Sequence, residues 1–517
     1  MKRRDFLKAT AIGAGAVVVP ELLKAANAGQ GRPLRQASSS AKATADRQDR
    51  PNVILIYTDQ QHANMMSCAG NPYVKTPAMD YMAGNGIRFT RAYTANPVCA
   101  PARVSMMTGR FPSQFLDKNG NLARENRGSM APGDVSEEVQ KTLLPVFMKE
   151  AGYDLFYGGK VHIPEIIGPK KNGFTYYVKT PKMPLAEASA KIIRGRKPGD
   201  KPFLMWANFI SPHDICYMAL RDYRVADMGK PAKKNGLEET DLVALMNRAS
   251  KIAPGEFFEK HCPPLPPNFE PQIGEPQSVK ALVARRGFRE KARQNYTDAD
   301  WRLHRWLYAR LTEQVDAEIQ LILDALKESG LEENTLVIFS SDHGDMDSAH
   351  RMEHKTALYE ESANVPLIAM YKGTIPAGTV NSSDLVSTGL DFLPTAADYA
   401  GNPNAKADPR GRSLRPLFEG KKVKWRDTLG VESQIGWMVV DNEGKKLIEY
   451  DFPPGGKIET QLLDLKADPY ETRHFPRNDG NSKTWDKLEK ALDEWFPESH
   501  RRILIPTEKP RKQKRKQ

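Results

Sequence analysis

Four continuous apolar runs narrow the fold more than any other feature of this chain. They are Asn52-Val-Ile-Leu-Ile-Tyr57, Pro202-Phe-Leu-Met-Trp-Ala-Asn-Phe-Ile210, Thr335-Leu-Val-Ile-Phe339 and Val365-Pro-Leu-Ile-Ala-Met-Tyr371. A strand with one wet face alternates polar and apolar residues, whereas an unbroken apolar run fits a strand covered on both faces, as in a parallel sheet. Leu307, Leu311, Val315, Ile319, Ile322 and Leu326 recur at helical spacing, and Gly330 closes that helix. A second amphipathic helix is expected over 384–400, closed by Gly401. Strands alternating with helices predict an α/β sheet with helices on both sides. Beyond residue 410 the pattern changes. Trp437-Met-Val-Val440 and Lys446-Leu-Ile-Glu-Tyr450 read as two strands around a turn, Gln461-Leu-Leu-Asp-Leu465 as another, and 485–495 as a closing helix. That predicts a small antiparallel domain packed on the large one, and 517 residues suffice for both.

Ligands of open α/β sheets bind beyond the carboxyl ends of the strands. Two of the runs end in acids: Asp59-Gln60 follows the first, and Asp342-His343-Gly344-Asp345 follows the third. One acid after a strand is often only a helix cap, but two such ends with Gln60 and His343 suggest a divalent metal with mostly oxygen ligands, Ca²⁺ or Mg²⁺. Between them lies Asn96-Pro-Val-Cys99-Ala-Pro-Ala-Arg103-Val-Ser-Met-Met-Thr108-Gly109-Arg110. Pro101 suits the first turn of a helix and Gly109 its end. Cys99 then sits at a helix start, where an anion is favoured, with Arg103 one turn along the same face.

Cys-x-Pro-x-Arg followed by Thr-Gly-Arg resembles the signature of the type I sulfatases, within the alkaline phosphatase-like superfamily. The resemblance covers 51–475 and implies an alkaline phosphatase-like large domain, with a central mostly parallel sheet between helices, and a smaller C-terminal α+β domain with an antiparallel sheet. It implies an arylsulfatase-like sulfuric ester hydrolase in which Cys99 is oxidised to Cα-formylglycine by a formylglycine-generating or radical maturation enzyme. The implied metal ligands are Asp59, Gln60, the modified Cys99, Asp342 and His343, with Ca²⁺ the expected ion and Mg²⁺ the alternative. Many relatives carry a second aspartate where this chain has Gln60, and glutamine there resembles the variant of some sulfatases and of related phosphonate and phosphodiester hydrolases. Gly158-Gly159-Lys160-Val161-His162, Ser211-Pro212-His213 and Lys355-Thr-Ala-Leu-Tyr359-Glu360 resemble the family's basic segments. By the resemblance, Arg103, Lys160 and Lys355 surround the ester oxygens. His213, helped by Lys355, protonates the leaving oxygen, and His162 takes a proton from the hydrate of the formylglycine. His350 and His354 are candidate substrate contacts. Two readings stand beside this one: a phosphonate monoester or phosphodiester hydrolase on the same scaffold, and a non-catalytic sulfated-glycan-binding protein.

The net charge of +12 is concentrated partly in the end, Lys509-Pro-Arg-Lys-Gln-Lys-Arg-Lys516. No nucleic-acid recognition motif accompanies it, so attraction to a polyanionic substrate or a wall polymer is the better functional reading, beside a solvated tail with no role. The start reads Met1-Lys-Arg3-Arg4-Asp-Phe6, then a short apolar region and Ala26-Asn-Ala28. That pattern fits a twin-arginine export signal, read by the twin-arginine translocase, and is too short to span a bilayer. A periplasmic or secreted protein is therefore expected. The expected organisation is a signal peptide at 1–28, a linker at 29–49, a catalytic domain at 50–415, an antiparallel-sheet subdomain at 416–505 and a basic tail at 506–517. An insertion over 214–300, and Glu432-Ser-Gln434-Ile-Gly-Trp437, are expected to choose among sugars.

Overall fold

A computed structural model describes residues 50–116, 122–124, 135–178, 184–223, 239–453 and 455–501. The expected export signal, linker and basic tail lie outside the described residues. The strands are β1 (Asn52–Asp59), β2 (Ile87–Phe89), β3 (Ala92–Tyr93), β4 (Asp154–Gly159), β5 (Thr175–Val178), β6 (Phe203–Pro212), β7 (Thr335–Ser341), β8 (Leu367–Met370), β9 (Thr379–Asn381), β10 (Val386–Ser387), β11 (Thr428–Ser433), β12 (Gly436–Asp441), β13 (Lys445–Tyr450) and β14 (Glu459–Asp464). The helices that matter here are α1 (Pro77–Gly84), α2 (Cys99–Thr108), α3 (Leu185–Arg194), α4 (Asp298–Glu328), α5 (Thr388–Tyr399) and α6 (Ser482–Trp495).

Eight strands form the main sheet in the order β5-β4-β6-β1-β7-β8-β2-β9. The run β5-β4-β6-β1-β7 is parallel throughout, and β8 is antiparallel to both of its neighbours. Residues of β1 alternate between two cores. Val53, Leu55 and Tyr57 pack with Val104, Met107, Phe392 and Leu393 of α2 and α5, while Ile54 and Ile56 pack with residues of α1, α3 and α4. Both faces are dry, which is why β1 reads as an unbroken apolar run. Helix α4 begins at a capping box between Thr297 and Asp300, and Gly330 follows its end at φ 68°. The helix expected from 384 starts only at Thr388. Val386 and Ser387 instead pair with Ala92 and Tyr93, and the Ser387 hydroxyl caps the Leu390 N–H.

The second sheet is antiparallel in the order β11-β12-β13-β14 and is covered by α6. The described residues belong to one compact unit. One hydrophobic cluster joins Tyr93, Ala95 and Phe111 to Leu429, Trp437 and Trp495. Glu432 N–H donates to the Ala95 carbonyl (3.0 Å) and Ser433 Oγ to the Thr356 carbonyl (2.6 Å). Glu432, Ser433 and Trp437 are buried in the seam between the two sheets. The described part of the insertion holds short helices around a cluster with Trp301, Trp306 and Tyr308. All four cysteines are free thiols, and no helix among the described residues is long and apolar enough to cross a membrane.

Glu432 gives the seam a pH dependence. Its Oε1 accepts the Ser113 N–H (3.0 Å), and Oε2 has no partner. Burial pushes the carboxyl up to about 7, against the pull of Ser113 and Arg124. A raised acid favours the folded state while protonated, so its contribution is full below the unfolded value, near 4.5, and is lost as pH rises through about 7. Glu432→Gln should therefore gain stability over the native protein between pH 5 and pH 8, by up to about 3 kcal/mol. Denaturant melts at the two pH values check this, and a pH-independent difference would refute it.

Candidate active site

Strands β4, β6, β1 and β7 are adjacent and parallel, so their carboxyl ends share one edge. That adjacency gathers residues far apart in sequence: Lys160 after β4, His213 after β6, Asp59 and Gln60 at the end of β1, and Asp342 and His343 after β7. Lys160 needs β4 pressed close to β6. Gly159 has φ 83°, and a Cβ there would lie 2.0 Å from the Asn208 carbonyl oxygen. From the other side α2 points its first residue into this edge. Its ten residues are all buried, Pro101 sits in the first turn, and Gly109 closes it at φ 62° with its N–H on the Ser105 carbonyl (2.7 Å).

Cys99 Sγ is the hub. Lys355 Nζ donates to it at 2.9 Å, His343 Nε2 lies at 3.1 Å and Asp59 Oδ1 at 3.6 Å, and the His162 side chain also reaches it. Burial opposes ionisation of this thiol, but Lys160, Lys355 and His343 outweigh it and hold Cys99 well below the usual thiol range. Oxygen, nitrogen and sulfur atoms of Asp59, Cys99, Asp342 and His343 all lie within 4.8 Å of one another, fully buried. Burial and then the charge of Asp59 push the Asp342 carboxyl up, to about 6. This donor set, two carboxylates with an imidazole and residue 99, fits a divalent metal ion.

The other expected residues divide. Arg103 differs from the expectation that it faces the ester: its guanidinium faces the acids. Nε donates to Asp342 Oδ2 (2.9 Å), Nη2 to Asp59 Oδ2 (3.2 Å), and Nη1 to Asn208 Oδ1 (2.9 Å) and the Lys160 carbonyl (3.2 Å). Each nitrogen of the fork has a partner, so Arg103 braces the carboxylates. Lys160 Nζ pairs with Asp59 Oδ2. The Gln60 amide is held at both ends, Oε1 accepting from Lys355 Nζ (2.9 Å) and Nε2 donating to Asp345 Oδ2 (2.7 Å). His213 lies 4.0 Å from Asp59 Oδ1, and burial, then Lys355 and Lys160, lower its imidazole to about 4. His354 is buried beside Lys355, against Glu353 and the Phe288 ring. His350 is not brought to the cluster as a free contact. Its ring lies on Tyr359 at 4.3 Å and its backbone N–H donates to the Asn268 carbonyl at 2.6 Å.

Sequence reasoning missed Asn208, Asp345 and Cys216, whose Sγ lies 3.7 Å from His213 Nδ1. Asn208 carried a signal, as the one polar residue inside the run 202–210. Backbone strain marks the place as well: Gln60, His162 and several residues between 347 and 356 have positive φ without being glycine.

The family described as Sulfatase matches residues 51–402, and N-sulphoglucosamine sulphohydrolase, C-terminal, matches 348–497. An arylsulfatase of Clostridium perfringens is 26% identical over 488 residues, covering 86% of this chain and 94% of that protein. An N-acetylglucosamine-6-O-sulfatase of Bacteroides thetaiotaomicron is 25% identical, covering 88% of each. Among solved structures, a 2-O GAG sulfatase superposes with a TM-score of 0.68 at 23% identity, over 86% of this chain and 92% of that one.

Proposed function

The chain belongs to the sulfatase family and is a sulfuric ester hydrolase, and from that premise we propose that it is an exported enzyme acting on sulfate monoesters of a carbohydrate through a formylglycine made from Cys99 and a bound Ca²⁺. One observation carries the reading: the side chain of Cys99 lies at once against Asp59 and His343 of the candidate metal cluster and against the cation Lys355. Sugar-sulfate relatives and the chain's basic balance support the substrate class, and the twin arginines Arg3 and Arg4 support export.

Asp59, Asp342, His343 and residue 99 would hold the metal, with Gln60 Oε1 beside them; bound there, it would supply Lewis-acid polarisation and positive charge. A formylglycine at 99 would supply a hydrated aldehyde as nucleophile. The chain's own groups do the rest. Lys355 and Lys160 offer two ammonium groups to the non-bridging oxygens, in a buried setting where such charge acts strongly. His213, on the β6 side, gives its proton to the departing alcohol oxygen. Its lowered pKa owes part of its value to Lys355 and Lys160, and an ester anion between those lysines opposes them and restores basicity. His162 accepts the proton released from the nucleophile. Arg103 keeps the carboxylates apart and oriented.

Gln60, neutral where a second aspartate is common in the family, favours one other reading, a phosphonate monoester or phosphodiester hydrolase. Protein recovered from the periplasmic fraction decides it, assayed on matched aryl sulfate, phosphate diester and phosphonate esters and on defined sulfated oligosaccharides, before and after chelation. Sulfate ester turnover should dominate, fall on chelation and return with Ca²⁺. Faster phosphonate or diester turnover would replace the sulfatase reading, and a protein confined to the cytoplasm would remove export.

A further inference from the structure

A groove of about 450 Å³ opens between the segment 412–428 and helix α6. Five cations line it against two carboxylates, Asp427 and Glu494. Some of that charge is already used: Arg426 pairs with Asp391, and Lys487 with Asp441 at 2.8 Å. The rest faces water. Arg412, Lys424 and Lys490 are exposed, and Lys490 has only a 3.9 Å pairing with Glu494. Such a surface pair holds little free energy and yields readily to a better anion.

The two walls repeat the same chemistry. On one, Lys421-Lys422-Val423-Lys424 is an exposed basic run leading into Trp425, a half-buried indole with the Arg412 guanidinium 5.6 Å from its ring centre. A short Lys-rich run of this kind is a recurrent electrostatic footprint for polyanionic chains such as heparin or nucleic acid. On the other, Lys487 and Lys490 lie one turn apart on α6. Cations at spaced intervals along two walls suit a chain that carries repeated anions. A sulfated polysaccharide has that pattern. A nucleic acid would also be attracted by the charge, but among the described residues the groove shows one partly open aromatic ring where single strands use successive stacking platforms.

The groove is tied to the catalytic edge by β11. That strand starts at Thr428 in the groove, where Trp495 Nε1 donates to Thr428 Oγ1 (3.1 Å), and ends at Ser433, bonded to Thr356 beside Lys355. The two ends of that strand are about 17 Å apart.

We propose that this groove is a second, non-catalytic binding site for a sulfated polysaccharide, which holds the polymer while its sulfate esters are presented to the site at Cys99. This rests on the sulfated-carbohydrate reading above. Two-point attachment raises the effective concentration of esters at the catalytic edge without any new contact there.

The triple variant Arg412→Ala, Lys424→Ala, Lys490→Ala removes exposed side chains and leaves the catalytic cluster intact. In full-length protein carrying Cys99→Ala, dextran sulfate binding measured by calorimetry should weaken about tenfold, with a shallower dependence on salt. With Cys99 intact, kcat/KM for a small aryl sulfate should be unchanged, while KM for a sulfated polymer rises. Unchanged dextran sulfate affinity would overturn the proposal, and so would an oligonucleotide of equal charge that binds as tightly and loses as much in the variant. If native enzyme hydrolyses no sulfated sugar, the carbohydrate reading fails on that assay, while the affinity comparison still decides the groove.

Discussion

Cys99→Ala should reduce aryl sulfate turnover by about 10⁵-fold or more, the scale seen when a nucleophile is removed from a unit that acts together, and should leave the fold in place. The two halves of that expectation come from different features. The activity half follows from position. Cys99 is 1% exposed, at the start of α2, and Lys355, His343 and Asp59 converge on its sulfur. The stability half follows from size. Alanine is a good helix former, and the only atom lost is one sulfur, which leaves a void costing about 1 kcal/mol. Lys355 keeps Gln60 Oε1 as a partner, so no ammonium is stranded. The measurement is kcat beside the mass of the peptide bearing residue 99. An active preparation whose residue 99 is an unmodified thiol, or an alanine variant that turns over normally, would sink the nucleophile assignment.

Much of this arrangement could be read from the chain because the strands that build it are dry on both faces. The runs 52–57, 202–210 and 335–339 carry their own address, and the acids after two of them mark the functional edge. The order of strands was not legible. That Asp59 and Asp342 meet follows from β1 lying against β7, a pairing of residues about 283 apart that periodicity does not encode. The helix at Cys99 was legible in both ends, Pro101 and Gly109, but the partners of Arg103 were not. Spacing placed the guanidinium on the right face, and only the fold shows that two acids and Asn208 take up its donors. Strand β11 escaped notice because Thr428-Leu-Gly-Val-Glu-Ser433 is short, holds a glycine and buries an acid. His350 and His354 looked alike, two histidines before a lysine. They part because the backbone between 347 and 356 turns repeatedly through positive φ, which sends one ring onto Tyr359 and the other towards Lys355.

Arg103→Met is expected to destabilise the protein by about 3–5 kcal/mol, the cost of breaking a buried ion pair by removing one partner, and to make its stability depend on metal. Asp59 and Asp342 are both fully buried and both bonded to the guanidinium. Without it Asp59 retains Lys160, while Asp342 retains only the Gln60 N–H (3.1 Å) and His343 (3.4 Å). Asp342 is already raised by burial and by Asp59, so it bears most of the penalty. A divalent cation between the same carboxylates would replace part of the missing charge. Chelation should therefore lower the Tm of the variant more than that of the native enzyme, and kcat should fall because the acids lose their fixed orientation. Arg103→Lys tests geometry apart from charge. One ammonium cannot bond two carboxylates and Asn208 as the planar fork does, so it should recover some stability and little activity. Calorimetric melts of the three proteins with and without chelator read the result. Equal melting of native and Met proteins under both conditions would show that the acids do not rely on the guanidinium. If the Met variant cannot be folded, the Lys variant carries the same comparison.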